Sequence, residues 1–229
     1  MSEAQLAAPA PPRAWPMYRA MVGVGLLCGL IIVSVFQATK PRIERNQAEA
    51  LQRAIFQVLP AARSSATFRL VGETGFTPLE GEAAGQPVLY AGYGEGGELI
   101  GLAIEARGMG YADVIRILYG YSFEQDGIVG MRVLESKETP GLGDRIEKDP
   151  VFLENFRRLD VSLTADGSAI ANPIVPVKNG TKQNPWEIDS ITGATISSKA
   201  IARMLSASTA WWLPRIRQDL DAFRKPEAP

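Results

Sequence analysis

The chain has 229 residues, with 24 basic and 25 acidic side chains and a formal charge of −1. That length suits one sizeable domain plus an extra segment, and the balanced charge removes the electrostatic case for nucleic acid, which needs an excess of Lys and Arg. Histidine is absent and Cys28 is the only cysteine, which excludes Ser-His-Asp and Cys-His catalysis, His-held zinc or iron, iron–sulfur clusters and an intramolecular disulfide. Chemistry is left to carboxylates, Lys, hydroxyls or a bound organic cofactor.

Residues 1–16 carry Pro9, Pro11, Pro12 and Pro16 among alanines and read as a disordered tail. From Ala20 to Thr39 run 20 residues without a charge. At about 1.5 Å per residue such a helix spans roughly 30 Å, the thickness of a bilayer core, so a transmembrane helix is placed at 17–39. A cleaved signal peptide has a shorter apolar run, about 7–15 residues, and Phe36 sits badly three residues before a cut after Ala38. A retained anchor is therefore expected, with Cys28 packing inside it. Arg13 and Arg19 precede the span, whereas Lys40, Arg42 and Arg45 follow it, so charge alone does not orient it.

Beyond the span, Ile43, Leu51, Ile55, Val58 and Leu59 recur at helical spacing between Pro41 and Pro60, predicting a separate amphipathic helix. Residues 61–86 are polar and Gly-rich with no clear period. Val88–Tyr93, the turn Gly94–Gly97 and Leu99–Ala106 predict one β-hairpin; Val114–Phe123, the turn Asp126-Gly127 and Ile128–Leu134 predict a second. Both place Gly-Tyr before the turn and a Gly-rich loop after the return strand, so they read as a duplicated β-unit within one sheet. Residues 149–160 suit a short helix with Pro150 in its first turn. A last helix is expected from Thr195 to Leu213, ended by Pro214. Trp211-Trp212, beside Arg215 and Arg217, reads either as core or as an interfacial or docking face. The fold class is α+β: an antiparallel sheet with flanking helices over residues 40–229, on a single-span anchor.

Two segments carry chemical promise. In Asp189–Ser198, Thr192 and Gly193 make a tight turn and Thr195 falls at the start of the last helix. Free backbone N–H groups and the helix dipole favour an anion such as phosphate there, although a Thr in that place also serves as an ordinary N-cap. In Glu138–Asp144, Pro140-Gly141 signals a type II turn. There Gly141 and Gly143 leave the backbone bare enough to approach a flat ring, Leu142 offers an apolar edge, and Glu138 and Thr139 add polar groups at the rim; the alternative is a plain surface loop. Lys178, in a strand-then-turn segment, is either a counter-charge for the phosphate or a solvated lysine.

Together, Thr192-Gly-Ala-Thr-Ile-Ser-Ser198, Lys137-Glu-Thr-Pro-Gly-Leu-Gly-Asp144 with Ile146-Glu147, and Gly110-Tyr111 about 27 residues before that loop resemble the covalent-flavin subunits of bacterial membrane redox complexes. The match is close to the G subunit family of the Rnf ion-translocating ferredoxin:NAD oxidoreductase, with the C subunit of the sodium-translocating NADH:quinone reductase next. The first motif residue of that family is often Ser and here is Thr192.

The resemblance implies FMN joined through its phosphate to Thr195, transferred from FAD by a separate Mg-dependent flavin transferase. Thr192, Gly193, Ala194 and Ser198 complete the motif, and Glu138, Thr139, Gly141 and Leu142 are expected beside the cofactor. Lys178 and the helix N-terminus are expected to face the phosphodiester. Glu138 near a flavin is expected to disfavour its anionic reduced forms. No catalytic acid or base and no metal ligand is assigned, because the flavin carries the electron chemistry. The resemblance further implies a domain on the periplasmic side of the inner membrane that relays electrons between neighbouring subunits of the complex. Competing readings are a membrane-anchored redox regulator, the quinone-reductase homologue (expected to be longer), and a purely structural component in which both loops are only turns.

Overall fold

The structure is a computed structural model that describes residues 14–79, 81 and 85–224. It divides between Glu49 and Ala50 into two compact units. Helix α1 (Ala14–Val58) supplies the first unit and, with its last turns, the start of the second. Its most apolar stretch has mean hydropathy 2.3 and no buried residue, as a bilayer-facing helix requires. Two expectations change here. Ala14–Pro16, assigned to the tail, begin α1, while residues 1–13 lie outside the described residues. The predicted break at Pro41 is absent, and α1 runs through it. A proline inside a helix costs about 3 kcal/mol, yet strong helix formers flank this one, including the i,i+4 pairs Lys40–Glu44 and Arg45–Glu49.

The second unit is built on a seven-stranded antiparallel sheet. Its strands are β1 (Ser64–Val71), β2 (Gly75–Pro78), β3 (Val88–Tyr93), β4 (Leu99–Met109), β5 (Val114–Ser122), β6 (Gly127–Glu135) and β7 (Leu159–Asp160), in the order β2-β1-β3-β4-β5-β6-β7. Short helices α2 (Arg145–Lys148) and α3 (Pro150–Glu154) follow β6. Strands β8 (Val175–Val177) and β9 (Glu187–Asp189) pair in parallel, and α4 (Thr195–Gln218) closes the unit with a 3-10 turn at Leu220–Phe223. Both hairpins appear as expected, with β4 running three residues further, to Met109.

Alternation along the strands sorts side chains onto two faces. One face sends Leu89, Leu102, Ile104, Ile117, Tyr119 and Ile128 into the main core, which α4 caps with Ile201, Leu205 and Trp212. The other gathers Tyr90, Ala103 and Leu118 with Ala54, Ile55, Val58 and Leu59 from the end of α1. The repeated glycines belong to this second face. Gly92 pairs with Gly101 and Gly120 with Gly130 across the strands. A Cβ on Gly92 would fall 2.8 Å from Leu59 Cδ1, and one on Gly120 would fall 2.3 Å from the Val58 carbonyl. The likeness of the two hairpins thus has a steric cause: both clear a floor for Val58-Leu59.

Three further expectations are corrected. The stretch 61–86 contains β1 and β2, which showed no period because Phe68 and Phe76 are the only buried residues on those two strands. The single helix at 149–160 is instead α3, capped by the Asp149 carboxylate on the amides of Val151 and Phe152, followed by β7 at the edge of the sheet. The last helix passes through Pro214 to Gln218, because burial of Trp212, Leu213, Pro214 and Ile216 holds its end in place. Of the tryptophan pair, Trp212 is core and Trp211 is exposed, with the Arg215 guanidinium 4.5 Å above its ring.

Because Gly120 meets rigid backbone, Gly120→Ala should destabilise the chain by about 1–3 kcal/mol, the usual range for overpacking. Denaturant unfolding of the detergent-solubilised chain measures it; an unchanged midpoint contradicts the steric account.

Candidate functional site

Two tight turns and the first turn of α4 meet around one cavity of about 340 Å³, within the range of small-molecule sites. In the first turn the Leu142 amide donates to the Thr139 carbonyl (3.1 Å) and Gly141 has φ +77°, so Pro140-Gly141 turns as its sequence predicts. In the second the Ala194 amide donates to the Ile191 carbonyl (3.0 Å) and Gly193 has φ +86°. Both glycines occupy the left-handed region that disfavours a Cβ.

The Glu138 carboxylate joins these parts. It is 6% exposed, not at the rim as expected. One oxygen accepts the amides of Tyr111 and Ala112, each at 2.9 Å, and the other accepts the Ser197 hydroxyl. Burial pushes its pKa up, but the Ser197 hydroxyl and the amides of Ala112, Tyr111 and Asp113 outweigh it, and the net shift is downward. A Cβ on Gly110 or on Gly143 would lie 2.4 Å from one of these oxygens. Both glycines make room for the carboxylate.

The motif's hydroxyls have different fates. Ser198 is fully buried: its Oγ accepts the Ile191 amide (3.1 Å) and donates to the Ala194 carbonyl (2.9 Å), clamping the turn to the helix. Ser197 is spent on Glu138. Thr195 is exposed, and its hydroxyl has only a 3.5 Å approach to the Ile191 carbonyl. It does not cap α4; Ala194 holds the N-cap position and no side chain bonds there. The first helical bond runs from the Ser198 amide to the Ala194 carbonyl, so the amides of Thr195, Ile196 and Ser197 lie ahead of the helical ladder. An uncapped N-terminus with an available hydroxyl, opening on a cavity, is chemically suited to an esterified phosphate.

Of the expected site residues, Glu138, Thr139, Leu142, Gly193, Ala194 and Thr195 line the cavity. Thr192, Gly141 and Ser198 do not; they shape its walls through the turns and the clamp. Lys178 is also outside it, exposed just beyond β8. Sequence reasoning gave no site role to Ile196 and Ser197, which line the cavity, and it passed over two further residues. Tyr111, 67% exposed, lines the mouth, although Gly110-Tyr111 had served only as a spacing mark. Arg145 donates to the Thr192 carbonyl (2.9 Å) and pairs with Asp149 (2.7 Å), bracing the second turn from α2; an Arg in a four-residue helix gives no sequence signal of this.

Residues 110–209 match the FMN-binding domain family. The G subunit of the ion-translocating oxidoreductase complex of Methanosarcina acetivorans is 30% identical, with 82% of this chain and 88% of that protein covered. The chain belongs to this G-subunit family. The G subunit of the Na(+)-translocating ferredoxin:NAD(+) oxidoreductase complex of Acetobacterium woodii is 33% identical over 49% of each chain. In fold, this G-subunit family member resembles the crystal structure of the C subunit of Na(+)-translocating NADH-quinone reductase from Parabacteroides distasonis, with TM-score 0.55, 20% identity, and 82% and 98% of the two chains covered. With its apolar N-terminal helix, this member of the G-subunit family is membrane-anchored.

The lowered Glu138 pKa fixes a sign. Its stabilisation is complete above the ordinary value of 4.5 and is lost as pH falls through the lower folded value. Unfolding titrations below pH 4.5 should therefore show a loss of stability in the native chain that Glu138→Gln removes. Glu138→Ala, which strands the buried Ser197 hydroxyl and deprives the Tyr111 and Ala112 amides of their acceptor, should cost about 3 kcal/mol at pH 7. A pH profile identical in native and Gln chains contradicts this.

Proposed function

We propose that this chain is the flavin-bearing electron carrier of an Rnf-type ion-translocating ferredoxin:NAD oxidoreductase, with FMN esterified through its phosphate to Thr195 Oγ1. One observation carries the reading: the motif's cavity-lining threonine hydroxyl is left uncommitted, at an uncapped helix N-terminus. The fit to FMN is chemical as well as spatial. The amides at the start of α4 suit a phosphodiester, the Gly193 backbone, with open space where a Cβ would lie, allows close approach, and Leu142, Ile196 and Tyr111 supply an apolar surround for a flat ring.

When bound, FMN supplies the one- and two-electron chemistry. The chain's own residues hold and orient it. Thr195 would act as an acceptor and not a catalyst: a separate transferase would cleave the FAD pyrophosphate, join the FMN phosphorus to Thr195 Oγ1 as the hydroxyl loses its proton, and release AMP. Ser198 and Arg145 fix the turn that presents Thr195, and Glu138 fixes the opposite wall. Lys178, outside the cavity, contributes charge only at a distance. The domain, taken from residue 40 onward, faces the periplasm on the inner-membrane anchor at 17–39 and exchanges electrons with neighbouring subunits.

Co-expression with a flavin transferase should give a denatured band that fluoresces under ultraviolet light. Thr195→Ala should abolish the fluorescence, and Thr195→Ser should keep it. A fluorescent Thr195→Ala band contradicts the attachment site. Glu138, ionised in the cavity wall, holds the flavin potential down. Glu138→Gln should raise the midpoint potential by tens of millivolts, where about 59 mV corresponds to tenfold in a one-electron equilibrium; an unmoved potential removes Glu138 from that role.

A further inference from the structure

Large apolar side chains gather at the cavity mouth. Tyr111, Leu142 and Ile196 line it, Met109 stands two residues before Tyr111, and all four are more than half exposed. Such a gathering marks an interaction site more often than plain surface. From Ile196 an exposed ridge continues along α4 through Lys199, Arg203, Ala207 and Trp211, at the three- and four-residue steps that share one helix face. The whole of α4 contains no acidic residue. Among the described residues, neither Lys199 nor Arg203 forms an ion pair; Arg203 Nε donates to the Lys199 carbonyl instead (3.3 Å). The carboxylates of Asp113 and Asp144, in the loops that carry Tyr111 and Leu142, are already held by Lys137 (3.0 Å) and Lys148 (2.6 Å). The ridge is left positive.

The geometry points to a single docking face for an acidic redox protein, whose acidic rim sits on Lys199 and Arg203 and whose apolar centre covers the mouth. This rests on the flavin reading above, since a redox group at Thr195 is what gives a carrier reason to meet that mouth. Anionic lipid would also suit the cations. Membrane contact along the ridge would press the adjoining mouth against headgroups, however, and shut it to any carrier. The apolar gathering around a cavity favours a protein.

The test uses the full flavinylated chain in a neutral detergent, reduced with dithionite and mixed with an acidic or a basic c-type cytochrome of similar size. Each cytochrome takes one electron, followed by haem absorbance. The acidic cytochrome should react roughly tenfold faster at low salt, within the range of electrostatic steering, and lose that advantage as salt screens it. Lys199→Glu with Arg203→Glu should reverse the preference, and Lys199→Gln with Arg203→Gln should level it. Equal rates for the two cytochromes, or a preference that survives both pairs of substitutions, overturns the proposal. So does binding to phosphatidylglycerol vesicles that depends on Lys199 and Arg203 while the cytochrome rates do not. In-gel fluorescence is recorded first. A dark band refutes the flavin reading and the docking face with it, whereas a fluorescent chain with charge-blind kinetics refutes the docking face alone.

Discussion

A carboxylate taken out of water loses several kcal/mol of hydration unless donors replace it, and the cavity is organised around the one at Glu138. Two backbone amides and one hydroxyl supply the replacement. Hydrogen bonds to a charged group contribute about 1.5–3 kcal/mol each, so three of them are on the scale needed to keep the anion buried. Those donors come from the β4–β5 connection and from the first turn of α4, while Glu138 itself opens the loop after β6. The same contact therefore fixes the relative positions of all three cavity walls. Its steric consequence is the pair of glycines, Gly110 and Gly143, that leave space for the oxygens.

The four hydroxyls of Thr192–Ser198 look interchangeable as letters, and helical geometry separates them. At about 100° per residue, Ser197 and Ser198 turn inward while Thr195 turns out. One inward hydroxyl serves Glu138, and the other ties the preceding turn to the helix by accepting the Ile191 amide and donating to the Ala194 carbonyl. With Ala194 at the N-cap, the outward hydroxyl of Thr195 has no structural duty. A motif with a capping Ser in place of Ala194 would place a competing hydroxyl beside the same amides. The small apolar residue keeps them open.

Much of this was legible as pattern. The two hairpins, the Pro-Gly turn, the left-handed Gly193 and the helix start at Thr195 all follow from local rules, which act over a few residues. What stayed hidden depends on partners distant in sequence. Strands β1 and β2 bury little, so only their pairing reveals them. Pro41 and Pro214 read as breaks, yet each lies in a helix whose neighbours outweigh one lost bond. Glu138 looked like a rim residue because a carboxylate in a Gly-rich loop is ordinarily solvated; its donors lie about 26 and 59 residues away. Arg145 was missed for the same reason, since its acceptor at Thr192 is 47 residues on. Lys178, close to the motif in sequence, lies exposed just beyond β8 and does not line the cavity.

An open mouth and a covalent tether belong together on the proposed reading. The cavity encloses its contents only in part, and its rim is apolar and exposed, so reversible binding would surrender a ligand to solvent readily. An ester to Thr195 converts that loss into an intramolecular equilibrium, at an effective concentration set by a short link. Retention then no longer requires enclosure, and the ring edge is left accessible to a partner. A chain without histidine loses nothing by this arrangement: its residues need only hold, orient and shield, and each of those tasks falls to a backbone amide, a glycine or a buried carboxylate already present.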